Sequence, residues 1–270
     1  MDWQRLGAVA PAALGAARET LHHAVQIVAA AGETYVAHED DTSHTALVWI
    51  ESHAALGGRE LAGRWPCRLA VRVRDLVLLL LDRQGAPHAE LALAGRTPAE
   101  ASLWAGEALR AYTHGELAHG LVHPGFEIPG RVARFAAPDA ALAELARWYA
   151  NADGELQIFA ARTPGAGPVW CWPHHFDIAT LLSLGGGRTI GVGVSPGDAG
   201  IPEPYAYVNH HPPQPGRALP ALAAGAWHTQ GWLGAALRGS DLAAAGDAPA
   251  QRDRLRTFLA SATTATRTLF

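Results

Sequence analysis

A long helical segment in the middle of the chain separates two groups of short, strand-like apolar runs. Apolar residues recur at helical spacing from about residue 138 to residue 162, and Pro164 and Gly165 end the pattern. Strand-like runs precede this segment at 45–50, 69–73, 76–81 and 89–94, and others follow it at 169–172, 176–184, 189–194, 205–208 and 232–237. Short runs joined by turns are typical of antiparallel sheets. This order predicts an α+β protein with antiparallel β-sheet regions and packed helices.

Two further helices are predicted near the ends of the chain. The first spans residues 14–31 and is expected to end at Gly32, because glycine is the usual residue just beyond a helix. The last spans residues 249–264. We interpret the 270 residues as a single domain, with a possible division into an N-terminal half, 1–137, and a C-terminal half, 138–270.

A capping box marks one more helix, before the central one. Thr97 is followed by Pro98 and then by Glu100, three residues after the threonine. This spacing lets each side chain satisfy a backbone N–H of the other residue at a helix start. We therefore predict a helix from Pro98 to about Tyr112.

Charge and lysine content exclude several kinds of site. The formal net charge is -4, and all 21 Lys+Arg residues are arginine. A chain without lysine cannot form a Schiff base, a pyridoxal phosphate site of the usual kind or a phosphate-binding loop. The charge offers no basic field for nucleic acid, and the glycine runs at 185–187 and 191–193 lack the strand-then-helix setting of a dinucleotide site. We expect a small-molecule ligand, no dinucleotide and no nucleic acid.

Cysteine use and hydropathy bear on the compartment. Cys67 and Cys171 lie far apart without a disulfide-type or zinc-type spacing. The most apolar run, residues 76–81, is much shorter than the roughly 20 residues that a bilayer requires, and the first residues do not read as a secretory signal. We therefore expect a cytoplasmic protein that does not enter a membrane.

The segment CWPHHFDIATLL carries the strongest sign of chemistry. Side chains alternate along a strand, so a strand through this segment would place His175 and Asp177 on one side. An imidazole and a carboxylate two residues apart can hold one metal ion. His228 would be a third ligand, giving the two-histidine, one-carboxylate set of non-haem iron sites. We predict a divalent metal, with Fe(II) first and zinc or manganese second.

Residues around this metal set complete a candidate active site. Arg238 and Ser240 form an Arg-x-Ser motif that can bind a carboxylate, and Glu203 or Asp198 would lie near the substrate as a catalytic carboxylate, with Arg238 as an anion clamp. The HxD pair, the distal histidine and the RxS motif together resemble the pattern of 2-oxoglutarate-dependent dioxygenases. That resemblance implies a metal-dependent oxidoreductase, and a hydrolase is the second possibility.

A second resemblance covers nearly the whole chain. The segments TLHxxxQIV, HFDIA, SPGD and EPYxY begin at Thr20, His175, Ser195 and Glu203. Together with the closing helix they resemble a widespread bacterial family of unknown function. The resemblance implies no particular reaction.

An aromatic pocket without a metal is the alternative. Trp227 and Trp232 flank His228 in the sequence, and Tyr205 and Tyr207 would share a strand face with Glu203. In that case the chain is a metal-free small-molecule binding or interaction protein. Fourteen histidines make the chain histidine-rich, and the sequence leaves open the roles of His22, His23, His174, His210 and His211.

Overall fold

The computed structural model describes residues 2–214 and 216–270 and has the expected α+β architecture. The helices are α1 Gly15–Tyr35, α2 Pro98–Tyr112, α3 Ala140–Arg162, α4 Gly239–Ala243 and α5 Ala248–Arg267. The strands are β1 Val48–Ile50, β2 Ala55–Gly57, β3 Cys67–Arg72, β4 Val77–Asp82, β5 Pro87–Ala92, β6 Trp170–Cys171, β7 Ile178–Gly185, β8 Arg188–Ser195, β9 Tyr205–His211, β10 Ala226–His228 and β11 Gly234–Arg238. Among the described helices, none is long and apolar enough to cross a membrane.

The strands form two antiparallel sheets. The first has the order β1-β2-β3-β4-β5, a simple meander, and the second has the order β10-β11-β9-β8-β7-β6. The residues cluster into two compact units. The N-terminal unit comprises Ala16–Ala146 and Cys171–Phe176, and the C-terminal unit comprises the chain up to Gly15, Arg147–Trp170 and Asp177–Phe270. Whether the chain unfolds as a single domain stays a prediction.

Helix α1 continues past the glycine that was expected to end it. Gly32 is buried inside the helix, and a Cβ there would meet the carbonyl oxygen of His44. The glycine is therefore required by a close approach of two backbones rather than by a left-handed turn. The predicted helix end at Gly32 is wrong for this reason.

The capping box of α2 is confirmed. Thr97 accepts a hydrogen bond from the backbone N–H of Glu100, and the Glu100 carboxylate accepts one from the backbone N–H of Thr97. Both bonds satisfy donors that a helix start leaves without a partner. Local sequence alone thus determines where this helix begins.

Helix α5 packs on one face of the six-stranded sheet, mainly against β8, β9 and β11. The buried Ala206 and Val208 of β9 alternate with Tyr205 and Tyr207, so the two tyrosines belong to the opposite face. The sheet of the C-terminal unit therefore has one face covered by helix and one face that carries aromatic side chains.

Candidate functional site

The strand predicted through His175 and Asp177 does not form. Phe176 has a φ of 62°, in the left-handed region, and β7 begins only at Ile178. Alternation along a strand therefore does not apply to this segment, and the predicted common face for the two residues is wrong. His175 is exposed and belongs to the N-terminal unit, whereas Asp177 is buried and belongs to the C-terminal unit. The metal set His175, Asp177 and His228 stays a prediction.

In the N-terminal unit, side chains of α1 hydrogen-bond to the turn that contains Pro173. His22 Nε2 donates to the Pro173 carbonyl oxygen at 2.8 Å, and the amide of Gln26 donates to the same oxygen at 2.8 Å. The His22 ring stacks on Phe176 with centroids 4.6 Å apart. The TLHxxxQIV and HFDIA segments therefore contact each other.

Burial lowers the pKa of two histidines in this region, His22 and His174. Loss of hydration lowers the pKa of His22 to about 4, against the weaker opposing effect of its bond to Pro173. Burial likewise lowers the pKa of His174 to about 4, with a smaller contribution from His175. At neutral pH the His22 ring therefore acts as a neutral hydrogen-bond donor.

We expect stability to fall as the pH is lowered through the range in which His22 titrates. The unfolded chain binds a proton near pH 6.5, whereas the folded chain resists it down to about 4. The stabilisation is complete above pH 6.5 and is lost progressively below it. Urea unfolding at pH 7 and pH 4.5 should show that His22→Gln, which keeps a donor for Pro173, reduces this loss by about 2 kcal/mol. The exposed His119→Gln is the control, and equal pH dependence in both variants would contradict the assignment.

The C-terminal unit carries a group of aromatic side chains on the sheet face opposite α5. We call Tyr205, Tyr207 and Trp232 the aromatic shelf. The ring centroids of Tyr205 and Tyr207 lie 6.2 Å apart, and Trp232 lies 6.2 Å and 6.4 Å from them. His228 packs on Trp232 with centroids 4.5 Å apart. Of the two tryptophans that flank His228 in the sequence, Trp232 packs on it, whereas the Trp227 indole donates a hydrogen bond to the Pro220 carbonyl oxygen. The aromatic pocket stays a prediction.

Each tyrosine of the shelf is paired with a carboxylate. The Tyr207 hydroxyl donates to Asp177 Oδ2 in a short hydrogen bond, and the Tyr205 hydroxyl donates to Asp198 Oδ2 at 2.5 Å. Burial, followed by the adjacent carboxylate, raises the pKa of both phenols far above the ordinary value. Both tyrosines therefore remain protonated donors at neutral pH.

Glycines make room for the shelf. Gly193 of β8 is the register partner of Ala179 on one side and of Tyr207 on the other. A Cβ at Gly193 would lie 2.7 Å from Ala179 Cβ and 2.8 Å from the Tyr207 ring. The Tyr207 ring thus crosses β8 over Gly193 to reach Asp177, which stands next to the start of β7.

The predicted catalytic carboxylates hold local structure together. Glu203 accepts hydrogen bonds from the backbone N–H of Ser240 at 2.7 Å and from its hydroxyl at 3.1 Å, and Arg238 contacts it at 3.4 Å. Asp198 accepts from the backbone of Gly200 and Ile201 within its own turn. Glu203 precedes β9 and therefore does not share a strand face with Tyr205 and Tyr207, contrary to expectation.

These contacts bear on the anion clamp predicted at Arg238 and Ser240. Its donors already face a carboxylate of the protein, that of Glu203. An incoming carboxylate would compete with Glu203 for Ser240 and would meet like charge. The cofactor-binding and catalytic roles of Arg238, Ser240, Glu203 and Asp198 stay predictions.

One group of three metal-type ligands occurs among residues 2–214 and 216–270. The ligand atoms of Glu33, His38 and His44 lie within 4.8 Å of one another. However, His44 Nδ1 accepts the backbone N–H of Glu39 at 3.1 Å, so the neutral ring carries its proton on Nε2, which faces Glu33 at 3.0 Å. A metal bound to Nε2 would require the proton to move to Nδ1. Two N–H groups, those of Nδ1 and of the Glu39 backbone, would then point at each other. The close approach of Glu33 and His44 is thus explained by a hydrogen bond, and His38 Nε2 lies 3.5 Å from the same carboxylate.

Two features of the histidine-rich segments lay beyond sequence reasoning. His210, whose role the sequence leaves open, lies on β9, is buried, and accepts a hydrogen bond from the Gln214 backbone N–H. Asp177 was not paired with Tyr207 in advance. The two residues meet only because β8 lies between β7 and β9, and no short-range pattern encodes that pairing.

Comparisons with known proteins give no further guide to the site. No protein-family model, no curated protein and no solved structure matches this chain.

Proposed function

We propose that the protein is a metal-free small-molecule-binding protein whose ligand stacks on the aromatic shelf. One observation carries the proposal. Two tyrosines and a tryptophan on the sheet face opposite α5 lie beside two carboxylates, and glycines in the strand beneath give the rings room. Tyr207 and Trp232 keep part of their surface exposed. Aromatic side chains that are partly exposed to solvent are typical of sites that bind planar ligands.

The charges of the site favour a particular ligand chemistry. Asp177 and Asp198 accept hydrogen bonds from the two shelf tyrosines. A third carboxylate, Glu203, lies two residues before Tyr205 in the chain and pairs with Arg238. A planar ligand with N–H donors or a positive charge complements this arrangement, since carboxylates accept hydrogen bonds and rings attract cations. An anionic ligand would be repelled.

Proflavine, a planar cation with amino groups, is a suitable probe. We expect saturable binding by fluorescence anisotropy, weakened about tenfold or more by Trp232→Ala, because one stacking contact contributes roughly 1–3 kcal/mol. The matched control is Trp65→Ala, since Trp65 is 38% exposed and lies in the N-terminal unit. Equal loss in both variants, or no saturable binding, would remove the proposal.

A chelator distinguishes this function from the metal-dependent enzyme. A metal that binds only the native state adds to stability, and its removal lowers the melting temperature. We expect the melting temperature of the purified chain to be the same with and without EDTA. A clear drop, together with iron, zinc or manganese in elemental analysis, would overturn the metal-free proposal in favour of the predicted metal set.

A further inference from the structure

A cleft runs between α3 and α5 in the C-terminal unit, apart from the aromatic shelf. Its volume is about 430 Å³, within the roughly 300–1,000 Å³ of small-molecule sites. Apolar side chains of both helices line it, including Ile158, Phe159, Leu259 and Ala260. The cleft therefore offers a binding surface for an apolar chain.

The two ends of the cleft differ in charge. At one end Glu155 is buried and its carboxylate is shared by Arg252 and Arg256, each at 2.6 Å. At the other end Arg162 and Arg267 line the cleft, and neither has an ion-pair partner within the described part of the chain. The two arginines at the Glu155 end thus face Glu155, and Arg256 also feels the charge of Asp253. The unpaired positive charge lies at the end marked by Arg162.

Helix dipoles oppose an anion at that end but do not outweigh the arginines. Arg162 ends α3 and Arg267 ends α5. Each helix end carries about half a negative charge, against a full positive charge on each guanidinium. The net charge of the two helix ends and the two guanidiniums is positive, and it favours an anionic group of the ligand between Arg162 and Arg267.

A buried hydroxyl provides an independent sign of an unfilled polar requirement. Thr263 lines the cleft, is 6% exposed, and its Oγ1 has no hydrogen-bond partner among the described residues. The next threonine, Thr264, bonds the carbonyl oxygen of Ala260 in the usual helical manner. A ligand that supplied a partner for the Thr263 hydroxyl would remove the cost of leaving this buried group unpaired.

From these observations we infer that the cleft binds a medium-chain fatty carboxylate. The apolar chain lies along α3 and α5, and the carboxylate is held by Arg162 and Arg267. Glu155 and Arg162 are seven positions apart on α3, a rise of about 10 Å, which matches a chain of medium length. This site is independent of the aromatic shelf.

Decanoate and decyltrimethylammonium test the inference, because they share a chain and differ in the sign of the head group. In calorimetric titrations of the full chain, decanoate should bind at least about tenfold more tightly than the cation. The double variant Arg162→Gln/Arg267→Gln should weaken decanoate binding by roughly tenfold to a hundredfold. Arg254→Gln is the matched control, since Arg254 is exposed on α5 and does not line the cleft.

A second variant tests the place of the apolar chain. Ala260 is exposed and lines the cleft, so Ala260→Trp should fill it without disturbing the fold, as checked by circular dichroism. We expect loss of decanoate binding and unchanged proflavine binding. Three results would overturn the inference: equal affinity for decanoate and decyltrimethylammonium, wild-type decanoate binding by the Arg162→Gln/Arg267→Gln or the Ala260→Trp variant, or no saturable decanoate binding.

Discussion

Replacing Gln251 with alanine is expected to destabilise the protein by about 3 kcal/mol. Gln251 is fully buried on α5, and its amide accepts the backbone N–H of Leu6 at 2.8 Å and donates to the Leu6 carbonyl oxygen at 3.0 Å. It also accepts a hydrogen bond from the indole of Trp3. Alanine would leave two buried backbone groups of Leu6 without partners, each costing about 1–3 kcal/mol. Urea unfolding at neutral pH measures the loss.

The same change should free the first residues of the chain. Hydrogen exchange at Leu6 is expected to accelerate in Gln251→Ala, because the groups that hold its backbone are gone. Gln157→Ala is the matched control, since Gln157 is exposed on α3 and its side-chain amide donates a hydrogen bond to the Asp153 carboxylate at the surface. If Gln251→Ala lowers the free energy of unfolding by less than about 1 kcal/mol, and by no more than the control does, water has taken over the hydrogen bonds of the Gln251 amide.

Local signals in the sequence were sufficient where neighbouring residues determine structure. The capping box at Thr97 and Glu100 predicted the start of α2. Apolar runs predicted most strands of both sheets, although the three-residue strands β2 and β10 are too short to leave a pattern. Elements of this kind follow from propensity and periodicity.

Long-range contacts were the part that the sequence did not predict. Gln251 and Asn151 look like ordinary polar residues of amphipathic helices, yet each holds the backbone of the N-terminal segment. Gly32 has the pattern of a helix end but provides room for another backbone. In each case the deciding partner is distant in the chain, so no window of sequence contains both residues.

The candidate site shows the same division. The common face of Tyr205 and Tyr207 follows from alternation and is confirmed. The alternation argument failed for His175 and Asp177, because Phe176 adopts a left-handed conformation that its residue type does not signal. Such a conformation in a bulky residue is sustained by surrounding contacts, here the stacking of Phe176 on His22.

Gly193→Ala should have a comparably large effect and should join stability to ligand binding. The added Cβ would lie 2.8 Å from the Tyr207 ring and 2.7 Å from Ala179 Cβ, and neither neighbour is the end of a flexible chain. Either β8 shifts or the ring moves and its bond to Asp177 breaks. We expect a loss of about 2–3 kcal/mol, typical of overpacking, and loss of proflavine binding.

Two further variants separate crowding at the ring from a general cost of replacing glycine. Gly106 lies inside α2 with open space where a Cβ would be, so Gly106→Ala should stabilise by up to about 1 kcal/mol. Tyr207→Ala removes the ring that Gly193→Ala displaces, so the two changes should be strongly non-additive in a double-mutant cycle. Additive costs would show that Gly193 is needed by the strand rather than by Tyr207. In that case the aromatic shelf does not depend on Gly193, because the Tyr207 ring reaches Asp177 with or without the space that the glycine provides.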